Sequence, residues 1–141
     1  MSSQAINRPL ILLVLTLLYV GSAASDNVDI LAAKFQRQAS QQGTTQWSVS
    51  VTLKHNDTGW DHYADEWRIV DIDGHVLGNR VLLHPHIDEQ PFTRSTNGIL
   101  VPDNITTVFI EAHDKIDGWM KSRLTVNLDL TDDGHLEIIN Q

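Results

Sequence analysis

Alternating apolar and polar side chains give the clearest structural signal in the chain. From Trp47 to Leu53 every second residue is apolar, His55 continues that face, and Ser, Thr and Lys occupy the other face. A period of two in a stretch rich in β-branched residues is typical of a half-buried strand. We therefore predict a strand over 47–55, with His55 at the inner rim of its sheet.

The same alternation returns several times after this strand. Apolar runs recur roughly every 8–12 residues with turn-forming residues between them, which is typical of an antiparallel β-sandwich. Asp71–Gly74 is expected to form a hairpin turn, and Trp47 and Trp67 fall on strand faces that should enter the core. We predict an immunoglobulin-like β-sandwich domain over 47–141. The expected interior positions are Val49, Val51, Leu53, Ile69, Val108, Ile110, Leu124, Val126 and Leu128.

Residues 25–46 show a different spacing. Between Val28 and Phe35 the apolar side chains lie three and four positions apart, and Asp26 is suited to cap a helix. The following stretch is dominated by Gln, Ser, Thr and Gly. The pattern predicts a short helix that leads into a polar linker before the sandwich.

Residues 1–24 have the composition of a secretory signal peptide. Arg8 supplies the positive region, Leu10 to Val20 is the apolar region, and Ser22 to Ala24 provides small residues for cleavage. The apolar run is shorter than the ~20 residues that a membrane-spanning helix needs. We expect a mature protein that begins near Ser25, is periplasmic or secreted, and has no membrane association after cleavage.

Composition excludes several classes of function. The chain has 18 acidic and 10 basic residues and a formal net charge of −8, so we expect no binding to nucleic acid, which requires clustered Lys and Arg. It has no cysteine, which removes thiolate metal sites, Cys nucleophiles and the lipid-anchored type of signal. No GxSxG motif is present. We therefore expect that the protein is not an enzyme.

Three stretches carry a resemblance to known proteins. The segments HNDTGWDHYADEW, DGHVLGNRVLLHPH and EQPFTRS resemble a group of small exported bacterial proteins with an immunoglobulin-like sandwich. The resemblance covers about Val51 to Leu128, a little over half of the chain. It implies a periplasmic setting in a Gram-negative cell and the sandwich fold. The group has no established activity, so the resemblance provides no catalytic residues.

His84-Pro85-His86 is the sharpest local motif. Residues two apart in an extended chain point to the same side, with their Cα atoms about 6–7 Å apart. Pro85 favours an extended conformation for the residue before it and places the segment at a strand end or edge. Two imidazoles placed in this way can bind one metal ion.

The predicted strand directions bring further ligands to this motif. If successive strands run up, down and up, His55 and His62 lie at the same end of the sandwich as the motif. Imidazoles with a carboxylate and no thiolate suit Zn(II) or Cu(II). The alternative is that these side chains only form structural hydrogen bonds. The candidate metal ligands are His55, His84, His86, His62 and Asp61.

A second hypothesis rests on aromatic residues. Trp60, Tyr63 and Trp119 lie in or beside predicted turns, where they could stack on a sugar or contact a peptide, or merely cover one end of the sandwich. The sequence thus predicts an exported, non-enzymatic binding or accessory module. Its partner would be a periplasmic protein or a small ligand. Its histidines either bind Cu(II) or Zn(II), or are structural in a protein- or glycan-binding module.

Overall fold

The computed structural model describes residues 26–140, and the predicted signal peptide lies outside them. These residues form eight β-strands and no α-helix. None of their helical structure has the length and hydrophobicity of a membrane span. The strands are β1 (Asp29–Gln41), β2 (Thr44–Lys54), β3 (Ala64–Val70), β4 (Val76–Val81), β5 (Phe92–Pro102), β6 (Thr107–Asp114), β7 (Gly118–Asn127) and β8 (His135–Ile139), with a 3-10 helix at Leu128–Leu130.

The strands form two antiparallel sheets of four. One has the order β5-β2-β1-β8 and the other the order β4-β3-β6-β7. In the immunoglobulin-like arrangement, β1, β2 and β5 take the places of strands A, B and E, while β4, β3, β6 and β7 take those of C′, C, F and G. The predicted fold class is confirmed.

The core lies between the two sheets. All nine predicted interior positions are buried, and both Trp47 and Trp67 are buried with them. Each fully buried aliphatic side chain of this kind contributes about 1.5–3 kcal/mol relative to exposure. The period-two pattern therefore identified the inner face of each of these strands correctly.

The helix predicted for residues 25–46 is wrong, because this segment supplies β1 and most of the β1–β2 hairpin. Val28, Ile30, Ala33 and Phe35 are the buried positions. The pairing register shifts between Ile30 and Ala32, so one extra residue separates two runs of normal alternation. That irregularity gives the apolar residues the spacing of a helix. The sandwich consequently begins at β1 and not at residue 47.

Gly78 allows the edges of the two sheets to approach each other closely. A Cβ atom at this position of β4 would lie 2.8 Å from Cγ1 of Ile99 in β5, and Ile99 is buried. A side chain would therefore displace Ile99 or the strand that carries it.

The strand directions gather five chain segments at one end of the sandwich. Asp29 in β1 pairs with Lys54 in β2, Glu66 in β3 pairs with Val81 in β4, and Ala64 pairs with the last residue of β6. The start of β1 therefore lies beside the ends of β2, β4 and β6 and the start of β3. We call this the histidine end, defined by Asp26, His55, His62, His86 and Asp114.

Candidate metal centre

Two residues that follow β2 continue its buried face. His55 and Asp57 have the same parity as Leu53, and both side chains are fully buried. Asn56, which lies between them, is exposed. The alternation of the strand thus carries an imidazole and a carboxylate into the interior, where each needs compensating partners.

Asp57 accepts three hydrogen bonds. Its Oδ1 accepts from the Nδ1–H of His55 at 2.7 Å and from the backbone N–H of Ala64 at 2.9 Å. Its Oδ2 accepts from the backbone N–H of His86 at 2.7 Å. These donors replace the water that the carboxylate loses on burial. They also connect the end of β2 to the start of β3 and to the loop after β4.

The bond to Asp57 fixes the tautomer of His55. Because Nδ1 donates to the carboxylate, Nε2 is the nitrogen that carries the lone pair when the ring is neutral, and it points away from Asp57. Nε2 is buried and makes no hydrogen bond to any of residues 26–140. An imidazole whose Nδ1–H is held by a carboxylate, with Nε2 free, is the usual arrangement of a metal-binding histidine.

Three further side chains surround this free nitrogen. The ring of His62 stands edge-on to that of His55 with centroids 5.0 Å apart, and its Nε2 is likewise buried without a partner in the described chain. One ligand atom each of Asp26, His55 and His62 lie within 4.8 Å of one another. Oδ2 of Asp114 is 3.8 Å from Nε2 of His55.

Asp114 holds its position through the turn after β6. Its Oδ1 accepts the backbone N–H groups of Ile116 and Asp117 at 2.6 and 2.7 Å. Its Oδ2 is buried and has no hydrogen-bond partner among residues 26–140. One oxygen therefore caps the turn, and the other is left facing His55.

These four side chains suit a tetrahedral divalent ion. Zinc bonds to imidazole nitrogen and carboxylate oxygen are ~2.0–2.2 Å long, so neighbouring ligand atoms are about 3.4 Å apart. The ligand atoms of Asp26, His55 and His62 lie within 4.8 Å of one another and need only small movements to reach this value. Asp114 is not part of that group and approaches it through His55 at 3.8 Å, so it must move further to complete the shell. We call Asp26, His55, His62 and Asp114 the inner cluster.

The HPH motif lies on the other side of Asp57. His86 is buried, and its ring stacks on Phe92 with centroids 3.8 Å apart and planes 8° apart. Desolvation, followed by the nearby charges of Arg94 and His84, lowers the pKa of His86, so the ring is neutral at pH 7. Its Nδ1 is 3.7 Å from Oδ2 of Asp57. The exposed ring of His84 lies 4.5 Å from that of His86.

The structure thus places the predicted metal ligands in different surroundings. His55 and His86 lie against opposite oxygens of Asp57, and His62 lies beside His55. His84 reaches this group only through His86. Asp61 is exposed and does not belong to a metal-ligand group in the described part of the chain. Metal binding by these residues stays a prediction.

The aromatic residues of the alternative hypothesis do not share one open face. Trp60 is 65% exposed, whereas Tyr63 is buried beneath it. The guanidinium of Arg68 covers the ring of Trp119 at 3.7 Å. Of these three rings, only that of Trp60 is freely accessible for stacking on a ligand.

The hairpin turn after β3 contains a second group of polar side chains. Oδ1 of Asp71 accepts the backbone N–H groups of Asp73 and His75, both at 2.9 Å, and Oδ2 accepts the Nδ1–H of His75 at 2.9 Å. Burial alone would raise the pKa of Asp71, but these hydrogen bonds lower it overall. The same pairing raises the pKa of His75. The groups of the turn itself therefore account for the carboxylate of Asp71.

Sequence reasoning missed two members of the inner cluster. Asp26 is predicted above as a helix cap, and Asp114 is not among the predicted site residues. Asp26 precedes β1 and Asp114 ends β6, both far from His55 in the chain. The pairing of β1 with β2 brings Asp26 to His55, and the packing of the two sheets brings Asp114 to it. The His55-Asn56-Asp57 spacing on one strand face was the available signal for Asp57.

No protein-family model matches the chain, and no solved structure matches it. A protein of Halomicrobium mukohataei named "Putative lipoprotein" is 40% identical over 92 residues. The match covers 65% of this chain and 43% of that protein, so the chain spans less than half the length of this relative.

Proposed function

We propose that this protein is an exported β-sandwich that binds one divalent transition-metal ion in the inner cluster and acts as a non-enzymatic binding or accessory module. The lipoprotein name of the Halomicrobium relative supports export, as does the composition of residues 1–24. A periplasmic or secreted location follows from the same features. Its partner would be another exported protein or the ion itself.

The observation that carries the proposal is the set of unpaired buried atoms in the inner cluster. Nε2 of His55, Nε2 of His62 and Oδ2 of Asp114 are all buried without a hydrogen-bond partner in residues 26–140. Each such atom costs about 1–3 kcal/mol of folding free energy. One bound cation would satisfy all three, and Asp57 already orients His55 for that purpose.

The ligand types select the ion. Two imidazoles and two carboxylates, with no sulfur, suit Zn(II), and Cu(II) binds such sites at least as tightly. With Asp114 moved onto the ion, four protein ligands would complete a tetrahedral shell and leave no position for a substrate, as in structural zinc sites. This closed shell supports a role without catalysis.

Zinc titration of the purified mature protein tests the proposal. We expect one equivalent of Zn(II) to bind in isothermal calorimetry. His62→Ala should weaken binding by more than the roughly 10–100-fold typical of losing an outer-shell partner. His62 is partly exposed, so this variant should fold.

His135→Ala is the matched control, because His135 is an exposed histidine on β8. It should bind Zn(II) as the wild type does. The proposal is wrong if the wild type binds no Zn(II), or if His62→Ala binds it with unchanged affinity.

A further inference from the structure

We propose that His84 and His86 form a second metal site, which binds Cu(II) at the surface of the histidine end and is separate from the inner cluster. This outer site does not depend on an ion in the inner cluster. It would give the protein two metal positions on opposite sides of Asp57.

The ring of His86 is buried without hydrogen-bond partners in the described chain. The residue is 2% exposed, and neither ring nitrogen has a hydrogen-bond partner among residues 26–140. A neutral imidazole has one N–H donor and one acceptor nitrogen, and burial of each without a partner costs about 1–3 kcal/mol. A phenylalanine would stack on Phe92 without this penalty. A histidine here is therefore unfavourable for stability unless a ligand engages its nitrogens.

The ring of His84 lies against that of His86. The two ring centroids are 4.5 Å apart, and the planes are tilted by 38°. Because His84 is exposed, ions reach its ring from solvent, whereas the ring nitrogens of the neighbouring His86 are buried. Two imidazoles, one at the surface and one just inside it, with water completing the square, would give the tetragonal nitrogen and oxygen coordination that Cu(II) prefers.

The carboxylate of Asp57 places negative charge beside the pair. Oδ2 of Asp57 is 3.7 Å from Nδ1 of His86 and accepts only the backbone N–H of that residue. A nearby carboxylate offsets the charge of a bound cation. The neighbouring Arg94 does not oppose it fully, because its guanidinium is paired with Glu89 at 2.9 Å.

Asp57 also separates the two sites. His55 binds its Oδ1, whereas His86 lies against its Oδ2. The lone pair of Nε2 of His55 faces Asp114, on the far side of the imidazole ring from Asp57. The two sites should therefore respond to different substitutions.

The experiment is a Cu(II) titration of the mature protein, followed by electron paramagnetic resonance and calorimetry. We expect the wild type to bind two Cu(II) ions, each coordinated by two imidazoles, so the two ions are distinguished by which substitution removes each spectrum. His84→Ala removes an exposed ring and should bind one ion. His86→Phe, which keeps the stack on Phe92, should lose the same ion and the same spectrum.

Two further variants separate this inference from the proposed function. His62→Ala should keep the outer ion and its spectrum while losing the inner one, and His135→Ala should bind both ions. If His84→Ala binds copper in the same amount and with the same spectrum as the wild type, the outer site is refuted and the inner cluster is untouched. If His62→Ala binds as much copper as the wild type while His84→Ala loses one ion, the inner cluster is refuted and the outer site stands. Should His86→Phe fail to fold, the result with His84→Ala decides.

Discussion

Asp57→Asn should destabilise the fold in the absence of any metal. The carboxylate accepts N–H groups from His55, Ala64 and His86 at 2.7–2.9 Å. A carboxamide has one acceptor oxygen and an NH₂ group that only donates. If its oxygen keeps the two donors at Oδ1, its NH₂ group faces the backbone N–H of His86, and two donors then oppose each other in the interior.

The size of the effect follows from these contacts. One buried N–H group left without an acceptor costs about 1–3 kcal/mol, and hydrogen bonds to a charged group contribute ~1.5–3 kcal/mol each, part of which is lost when the charge is removed. We expect the free energy of unfolding to fall by about 3 kcal/mol. This is a large share of the ~5–15 kcal/mol by which a domain is stable.

Urea denaturation in EDTA measures this loss without a contribution from bound ions. Fluorescence of the fully buried Trp67 reports unfolding. With a slope near 1.5 kcal/mol per molar urea, the midpoint should fall by about 2 M. Asp61→Asn, at an exposed carboxylate in the same loop, should stay within about 0.5 kcal/mol of the wild type. If the Asp57→Asn midpoint lies within about 0.3 M of the wild type, the three hydrogen bonds do not stabilise the protein as argued.

Two further predictions concern other parts of the molecule. Gly78→Ala should lower the free energy of unfolding by about 1–3 kcal/mol through overpacking against Ile99, and thermal denaturation should show that an Ile99→Ala background removes most of this loss. An equal loss in both backgrounds would contradict the steric explanation. Asp71→Asn should return the raised pKa of His75 towards 6.5, as followed by nuclear magnetic resonance of the ring protons, and an unchanged titration would exclude the pairing. Stability from His75 is present below pH 6.5 and is lost as pH rises through its raised pKa, whereas stability from Asp71 is present above pH 3.8 and is lost as pH falls through its lowered pKa.

The sequence predicted the strands whose alternation is unbroken. In β2 from Trp47 to Leu53, each inner residue is apolar and each outer residue is polar and only partly buried, so the period identified both the strand and its buried face. In β6 the inner Val108, Ile110 and Ala112 follow the same period, although the outward Phe109 and the terminal Asp114 are buried as well. The period failed in β1, because the irregularity between Ile30 and Ala32 changes the parity of the residues up to a second irregularity between Arg37 and Ala39. It also missed β8, whose five residues are exposed or only partly buried. Local pattern is a poor guide where pairing is irregular or burial is slight.

Some residues of the candidate site could likewise be predicted from the sequence, and others could not. Parity on one strand was enough to direct His55 inwards, and strand direction was enough to bring His86 to the same end. The inclusion of Asp26 and Asp114 depends on which strands are neighbours in each sheet, and no residue spacing records this. Long-range neighbours of this kind become visible only in the folded chain.

The strands joined at the inner cluster suggest a mechanical role for a bound ion. His55 follows the strand in the B position and Asp114 ends the strand in the F position, and these are the two strands that a disulfide links in antibody domains. The chain has no cysteine. A metal at this position would be a reversible crosslink between the sheets. It would add about 2.7 kcal/mol to the free energy of unfolding when its free concentration is 100 times its dissociation constant. The stability of the contact between the two sheets would then vary with the concentration of free metal around the protein. A covalent crosslink would not have this dependence.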